Sequence, residues 1–255
     1  MKKLFSVLCL ISVFALSATI IASAKEPQNS FSWYCIRAKN NQRPPLPSEF
    51  SFINELDGYY IGSDEKVVYL TFDAGYENGN VAKTLDVLKE HDVKGAFFIL
   101  SNIINENPEL IERMADEGHL ICNHTSKHPD MTKIRDSESF EAELKALENI
   151  CCEKTGKKVS AYFRPPEGKF NRQTLELAQK LGYKTVFWSF AYADWDNNKQ
   201  MSEEAAKEKI LSNMHNGAII LLHPTSKTNA SILGDVITEL KSQGYRFGTL
   251  DELDG

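Results

Sequence analysis

The sequence predicts an α/β protein, an irregular (β/α) barrel with fewer than eight regular units, and three observations lead there. From Glu65 onward, short apolar runs of strand character alternate with stretches of helical spacing, the pattern of a parallel sheet flanked by helices. The region 65–255 is shorter than the about 250 residues that a full eight-unit barrel takes. Four of the apolar runs end in a residue able to do chemistry: 67–72 in Asp73, 120–123 in His124, 161–163 in Arg164 and 218–222 in His223. In parallel α/β folds the C-terminal edge of the sheet is where active sites are assembled. One such residue has an easy structural explanation; four together call for a site. An open doubly wound sheet is the second architecture compatible with this pattern.

The elements follow in order. Residues 25–64 are polar and Pro-rich, with Arg43-Pro44-Pro45-Leu46-Pro47, and read as an extended arm wrapping the domain or as a linker. After the first strand, 81–91 has helical spacing and 94–100 is a strand. Residues 108–117 open with Pro at a first-turn position and end at Gly118, a helix-stop signal. Residues 137–154 form a long amphipathic helix, with Phe140, Leu144, Leu147 and Ile150 on one face. A helix over 172–181, closed by Gly182, precedes a strand over 185–188. A helix over 202–214 leads into the 218–222 strand, and one over 231–243 leads into a final 246–250 segment.

Ahead of these elements, Lys2-Lys3, an apolar stretch from 4 to about 21 and the small residues Ala22-Ser23-Ala24 have the three parts of a secretory signal. The chain therefore divides into a signal peptide (1–24), the lead-in (25–64) and a catalytic domain (65–255). An uncleaved membrane anchor is the rival reading of the first part; no later segment is long and apolar enough to span. The formal charge is −6, and losing residues 1–24 removes two lysines and no acid. A net-acidic exported protein is a poor partner for nucleic acid. Outside the signal, Cys35, Cys122, Cys151 and Cys152 form no C-x-x-C pair, so a cysteine zinc site is not expected. A bridge from Cys35 to Cys151 or Cys152 is open in an oxidising compartment.

His124-Thr125-Ser126-Lys127-His128 has the H-x-x-x-H spacing that lets two imidazoles hold one metal; two solvated or structural histidines are the plainer alternative. Cys122 shares strand parity with His124 but reads as a packing cysteine. Asp73 suits a metal ligand, a general base or a cap on the Ala74-Gly75 turn. Arg164, before Pro165-Pro166-Glu167-Gly168, can be turned inward to clamp a carboxylate, or lie on a surface loop. Asp194-Trp195 could orient a histidine and wall a sugar groove, or be ordinary loop. His223 stands where proton transfer near neutral pH is natural. No phosphate loop and no G-x-S-x-G elbow are present, which points to metal-assisted attack by water.

Taken together, Thr71-Phe72-Asp73-Ala74-Gly75, His124 to His128, Arg164 to Gly168, Asp194-Trp195 and Leu221-Leu222-His223 resemble the five motifs of the polysaccharide deacetylases, the NodB-homology carbohydrate esterases of family 4. Ser32-Trp33, the stretch 57–62 and Gly75-Tyr76-Glu77-Asn78-Gly79 are similar to one branch, the delta-lactam-biosynthetic N-acetylmuramic acid de-N-acetylases of spore formers. The resemblance implies a NodB-type irregular barrel that hydrolyses an N-acetyl group from a glycan. It implies a divalent metal, zinc, on His124 and His128, with Asp73 as base held by Arg164 and His223 as acid oriented by Asp194. Substrate contacts are implied for Trp195, Leu221 and Tyr76, and Lys169 or Arg172 is a candidate cation for the lactyl carboxylate of peptide-free muramic acid. The family's usual second carboxylate in the first motif is Ala74 here, so the metal should be loosely held; Ala191 likewise replaces an acid found in many relatives. The expected partner is the glycan strand of peptidoglycan, met by a monomer outside the cytoplasmic membrane, in the spore-cortex compartment for that branch, with no stable membrane span after signal cleavage. The alternatives are a general N-acetylglucosamine deacetylase and an inactive glycan-binding module.

Overall fold

The computed structural model describes residues 29–38 and 41–254, so the predicted signal segment 1–24 lies outside them. Two short strands, β1 (Phe31–Ser32) and β2 (Gly58–Tyr59), flank a 3-10 helix at Ser48–Glu55. Strands and helices then alternate: β3 (Val67–Ala74), α1 (Asn80–Glu90), β4 (Gly95–Ile99), α2 (Ser101–Glu106), α3 (Pro108–Asp116), β5 (Leu120–Asn123), α4 (Ser137–Thr155) and β6 (Ser160–Phe163). The second half continues with β7 (Lys169–Phe170), α5 (Arg172–Lys180), β8 (Lys184–Val186), α6 (Glu203–Leu211), β9 (Ala218–Leu222), α7 (Lys227–Ser242) and β10 (Arg246–Phe247). Eight of the described strands form one parallel sheet in the order β2-β8-β6-β5-β4-β3, with β9 and β10 both on β3. Single bridges from Ile61 to Ala218 and from Phe190 to Ile220 tie the β2–β8 end back to β9. The curled sheet with helices outside is thus the expected irregular barrel rather than an open sheet.

Strand parity sorts the core into two layers. Successive side chains on a strand point to opposite faces. Val68, Leu70 and Phe72 of β3 pack outward against α1, α3 and α7, whereas Val67 and Tyr69 turn inward to meet Phe98, Cys122, Tyr162 and Ile219. Each fully buried Leu, Ile or Phe of this kind contributes about 1.5–3 kcal/mol. The inward parity of Val67 and Tyr69 continues through Thr71 to Asp73. It likewise runs from Cys122 to His124, from Tyr162 to Arg164 and from Ile219 to His223. Four residues distant in sequence are therefore carried to the same end of the barrel interior.

The lead-in is packed onto this body. β1 pairs antiparallel with β7, Trp33 stacks on Phe187 with ring centroids 4.5 Å apart, and Phe50, Ile53 and Leu56 share a buried cluster with Phe170 and Leu175. Several expected boundaries shift for identifiable reasons. The 185–188 strand stops at Val186, because the next carbonyls leave the ladder: that of Phe187 accepts from Arg164 and that of Trp188 from the Trp33 indole. The last helix starts a turn earlier than 231, at Lys227, where the Ser226 hydroxyl accepts from the Asn229 N–H at 3.1 Å. The 202–214 helix ends at Leu211, and only Arg246–Phe247 of the final segment is strand. The α2 helix was not expected from its polar sequence; Ile103 and Ile104 bury it. Cys35, Cys122, Cys151 and Cys152 are all free thiols. Among the described residues, no helix is long and apolar enough to cross a membrane.

Candidate active site

A cavity of about 640 Å³ opens at the C-terminal ends of the strands, and Asp73, His124, His128, Trp188, Trp195, Leu221 and His223 line it. Arg164 and Asp194 stand behind that lining and reach it through their partners.

Asp73 ends the inward row of β3. Its Oδ1 accepts from Arg164 Nη1 at 2.7 Å. The guanidinium is wholly buried and four of its five N–H groups are bonded: besides the Asp73 bond, Nη2 donates to the Thr71 hydroxyl at 2.9 Å and to the Phe187 carbonyl at 3.2 Å, and Nε to the Val186 carbonyl at 2.9 Å. It also lies 4.0 Å over the Phe98 ring. Burial pushes the Asp73 carboxyl up, but Arg164, with His124 and His223 nearby, more than offsets this and holds it below its ordinary value. Asp73 is thus an ionised carboxylate aimed into the cavity.

His223 follows β9 directly. Its Nδ1 donates to Asp194 Oδ1 at 2.7 Å, and its backbone N–H donates to Asp194 Oδ2 at 2.8 Å. Asp194 is buried, and the Asn229 amide gives it a third bond at 2.5 Å. With Nδ1 taken, the other ring nitrogen is left for the cavity. Burial pushes the imidazole down, but the hydrogen bond and charge of Asp194 overcome this and raise it above its ordinary value. This arrangement can give a proton, whereas Asp73 can take one.

The His124 and His128 rings meet edge to face with centroids 5.0 Å apart. His124 Nδ1 lies 2.8 Å from the Arg164 carbonyl, which can only accept, so Nδ1 carries the proton and Nε2 keeps its lone pair. That Nε2 is 3.6 Å from Asp73 Oδ2. Burial pushes His124 down to about 4, which keeps the ring neutral. Two adjacent imidazoles, one with its tautomer fixed, suit a divalent metal. Among the described residues no group of three or more His, Cys, Asp or Glu side chains is arranged to hold one. Ala74, where a further carboxylate was missed in the sequence, is wholly buried. Cys122 packs in the inner core, its thiol pushed well up by burial, as a packing cysteine should be.

The remaining candidates divide. Trp195 and Leu221 are on the cavity wall, and Trp195 is 64% exposed. Tyr76 stands outside the lining, its hydroxyl accepting from Asn197 at 2.6 Å. Lys169 is 2.6 Å from Glu167, which is on the wall, so it approaches the cavity only through that partner. Arg172 is not brought to the site: it faces Glu55 and Glu176 and lies over Phe52, against the lead-in. Thr71 and Asn229 were missed. Thr71 sits two residues before Asp73 and so on the same face, a signal the sequence held; Asn229 lay outside the expected helix and had none.

The family described as polysaccharide deacetylase matches residues 61–186. The peptidoglycan-N-acetylmuramic acid deacetylase PdaA of Bacillus subtilis (strain 168) is 41% identical over 255 residues, covering 99% of this chain and 96% of that protein. The solved structure of Bacillus subtilis PdaA, a family 4 carbohydrate esterase, superposes with a TM-score of 0.86 at 43% identity, covering 89% of this chain and 98% of that one. A peptidoglycan-N-acetylglucosamine deacetylase of Bacillus cereus is 32% identical, covering 89% of this chain and 81% of that protein. The chain belongs to the polysaccharide deacetylase family.

Proposed function

We propose that this enzyme hydrolyses the N-acetyl group of peptide-free N-acetylmuramic acid in peptidoglycan, the step that leads to the muramic δ-lactam of spore cortex. The observation that carries this is likeness along nearly the whole chain, lead-in included, to a muramic acid deacetylase. The basic and apolar start of the sequence supports export, and we place the activity outside the cytoplasmic membrane, in the wall or cortex, as a monomer.

In the proposed reaction Asp73 takes the proton of a water as its oxygen attacks the acetamide carbonyl carbon. Arg164 keeps the carboxylate ionised and pointed at that water. The carbon–nitrogen bond then breaks as His223 gives its proton to the nitrogen, leaving acetate and a free amine. Asp194 holds the imidazole so that Nδ1 faces inward and the donating nitrogen faces the sugar. Trp195 and Leu221 provide apolar wall for the sugar and its acetyl methyl. His124 and His128 would hold a divalent metal, zinc in our expectation, which when bound polarises the carbonyl as a Lewis acid.

Mass spectrometry of peptide-stripped peptidoglycan, incubated with the enzyme and defined divalent metals, tests this directly. Loss of one acetyl from muramic acid is expected, with little acetate from chitin oligomers. Equal or greater release from chitin oligomers would support the glucosamine alternative. Glycan binding without turnover at any metal would support the inactive module.

A further inference from the structure

The turn that carries His124 and His128 is bent against its own sequence. Thr125 has φ +73° and His128 φ +58°, the left-handed region that residues with a Cβ avoid and β-branched residues avoid most. Something must hold it: Ser126 bonds to Ser101 and the Lys127 N–H donates to Glu143, while the bonds at the two left-handed residues themselves start from one buried amide. Asn123 Oδ1 accepts from the Thr125 N–H at 2.9 Å, and the Thr125 hydroxyl oxygen accepts from the His128 N–H at 2.9 Å. Asn123 Nδ2 donates to the Leu144 carbonyl and to the Tyr183 hydroxyl, both at 3.1 Å.

The direction of each bond in this network is fixed. Glu148 is a carboxylate and accepts, so the Tyr183 hydroxyl donates to it and its oxygen is left to accept from Asn123. With Nδ2 committed to two acceptors, Oδ1 must face Thr125. A flipped amide would set donor against donor at Thr125 and oxygen against oxygen at Leu144. Asn123 is wholly buried, so no water relieves such a clash. Helix α4, the residue just before β8 and the end of β5 thereby act together on the turn, and no step of the proposed reaction uses the side chains of Asn123, Tyr183 or Glu148.

We infer that Asn123, oriented by Tyr183 and Glu148, is the positioning residue for the His124–His128 pair and sets its affinity for a divalent metal. The inference rests on the metal reading of that pair. It gains force from Ala74: with only two imidazoles to hold an ion, affinity depends on how well they are placed before it arrives.

The test is isothermal titration of Zn²⁺ into metal-stripped full chain, with the thermal midpoint of the metal-free protein read alongside. Tyr183→Phe keeps the ring and removes only the hydroxyl; Asn123→Ala removes the amide. Groups that orient metal ligands typically change affinity by about 10–100-fold, so Tyr183→Phe should weaken Zn²⁺ about 10-fold and Asn123→Ala further. Leu85→Ala, in the outer core on α1, should lower the midpoint and leave affinity unchanged. Wild-type affinity in both site variants would overturn the inference, as would an affinity loss in Leu85→Ala matching its loss of stability. If the unmutated protein takes up no divalent ion, the metal reading itself fails, a result visible without any variant.

Discussion

Two ion pairs of the same length, 2.7 Å, meet at one cavity, and they are built in opposite senses. In the Asp73–Arg164 pair the cation is buried and the carboxylate faces the cavity. In the Asp194–His223 pair the carboxylate is buried and the imidazole faces it. The first pair lowers the proton affinity of the exposed group and the second raises it. Which partner is exposed decides whether a pair takes or gives a proton, and amide hydrolysis needs one of each.

The comparison can be broken from either side. Asp73→Asn removes the proposed proton acceptor with little change in shape, and kcat should fall by about 10³–10⁴-fold, within the range for general acid–base groups. His223→Ala should cost about 10²–10³-fold, less because solvent can protonate a departing amine. Steady-state acetate release measures both. Full retention in Asp73→Asn would remove the base assignment.

Removing the buried partners separates stability from chemistry. Arg164→Met leaves the Asp73 carboxylate and two backbone carbonyls without their donor, and urea unfolding should show a loss of about 3–5 kcal/mol. Asp194→Asn keeps one acceptor oxygen for the His223 N–H and the Asn229 amide and loses only the acceptor facing His223 Nδ1, so the loss of stability should be smaller. Its kcat should fall about 10–100-fold, because the imidazole loses the charge that raises it. At the small end, Trp195→Ala should raise KM a few-fold with kcat nearly unchanged, as expected of an exposed wall for a sugar. Arg172→Ala should change neither, since the lead-in holds that side chain away from the cavity.

Asp73, His124, Arg164 and His223 were legible in the sequence because each depends on a local rule. An apolar run makes a buried strand, and parity tells which face its last residue shares. Asp194 was legible through its motif but not through its placement, which depends on α7 docking Asn229 against it. Lys169, Arg172 and Tyr76 were harder. They sit on connections whose direction is set by tertiary contacts, with Glu167, the lead-in and Asn197. Asn123 looked like the last residue of a strand; its role appears only when Tyr183 and α4 arrive from elsewhere in the chain.

The pH dependence of kcat/KM for the wild type and Asp194→Asn tests the opposed pairing most directly. A donor must be protonated to act, so activity is lost as pH rises through the pKa of His223. Because Asp194 raises that value, the wild-type alkaline limb should lie above the ordinary histidine value near about 6.5. In Asp194→Asn the limb should move to lower pH. An alkaline limb that stays in place when Asp194 is neutralised would contradict the assignment of His223 as the proton donor.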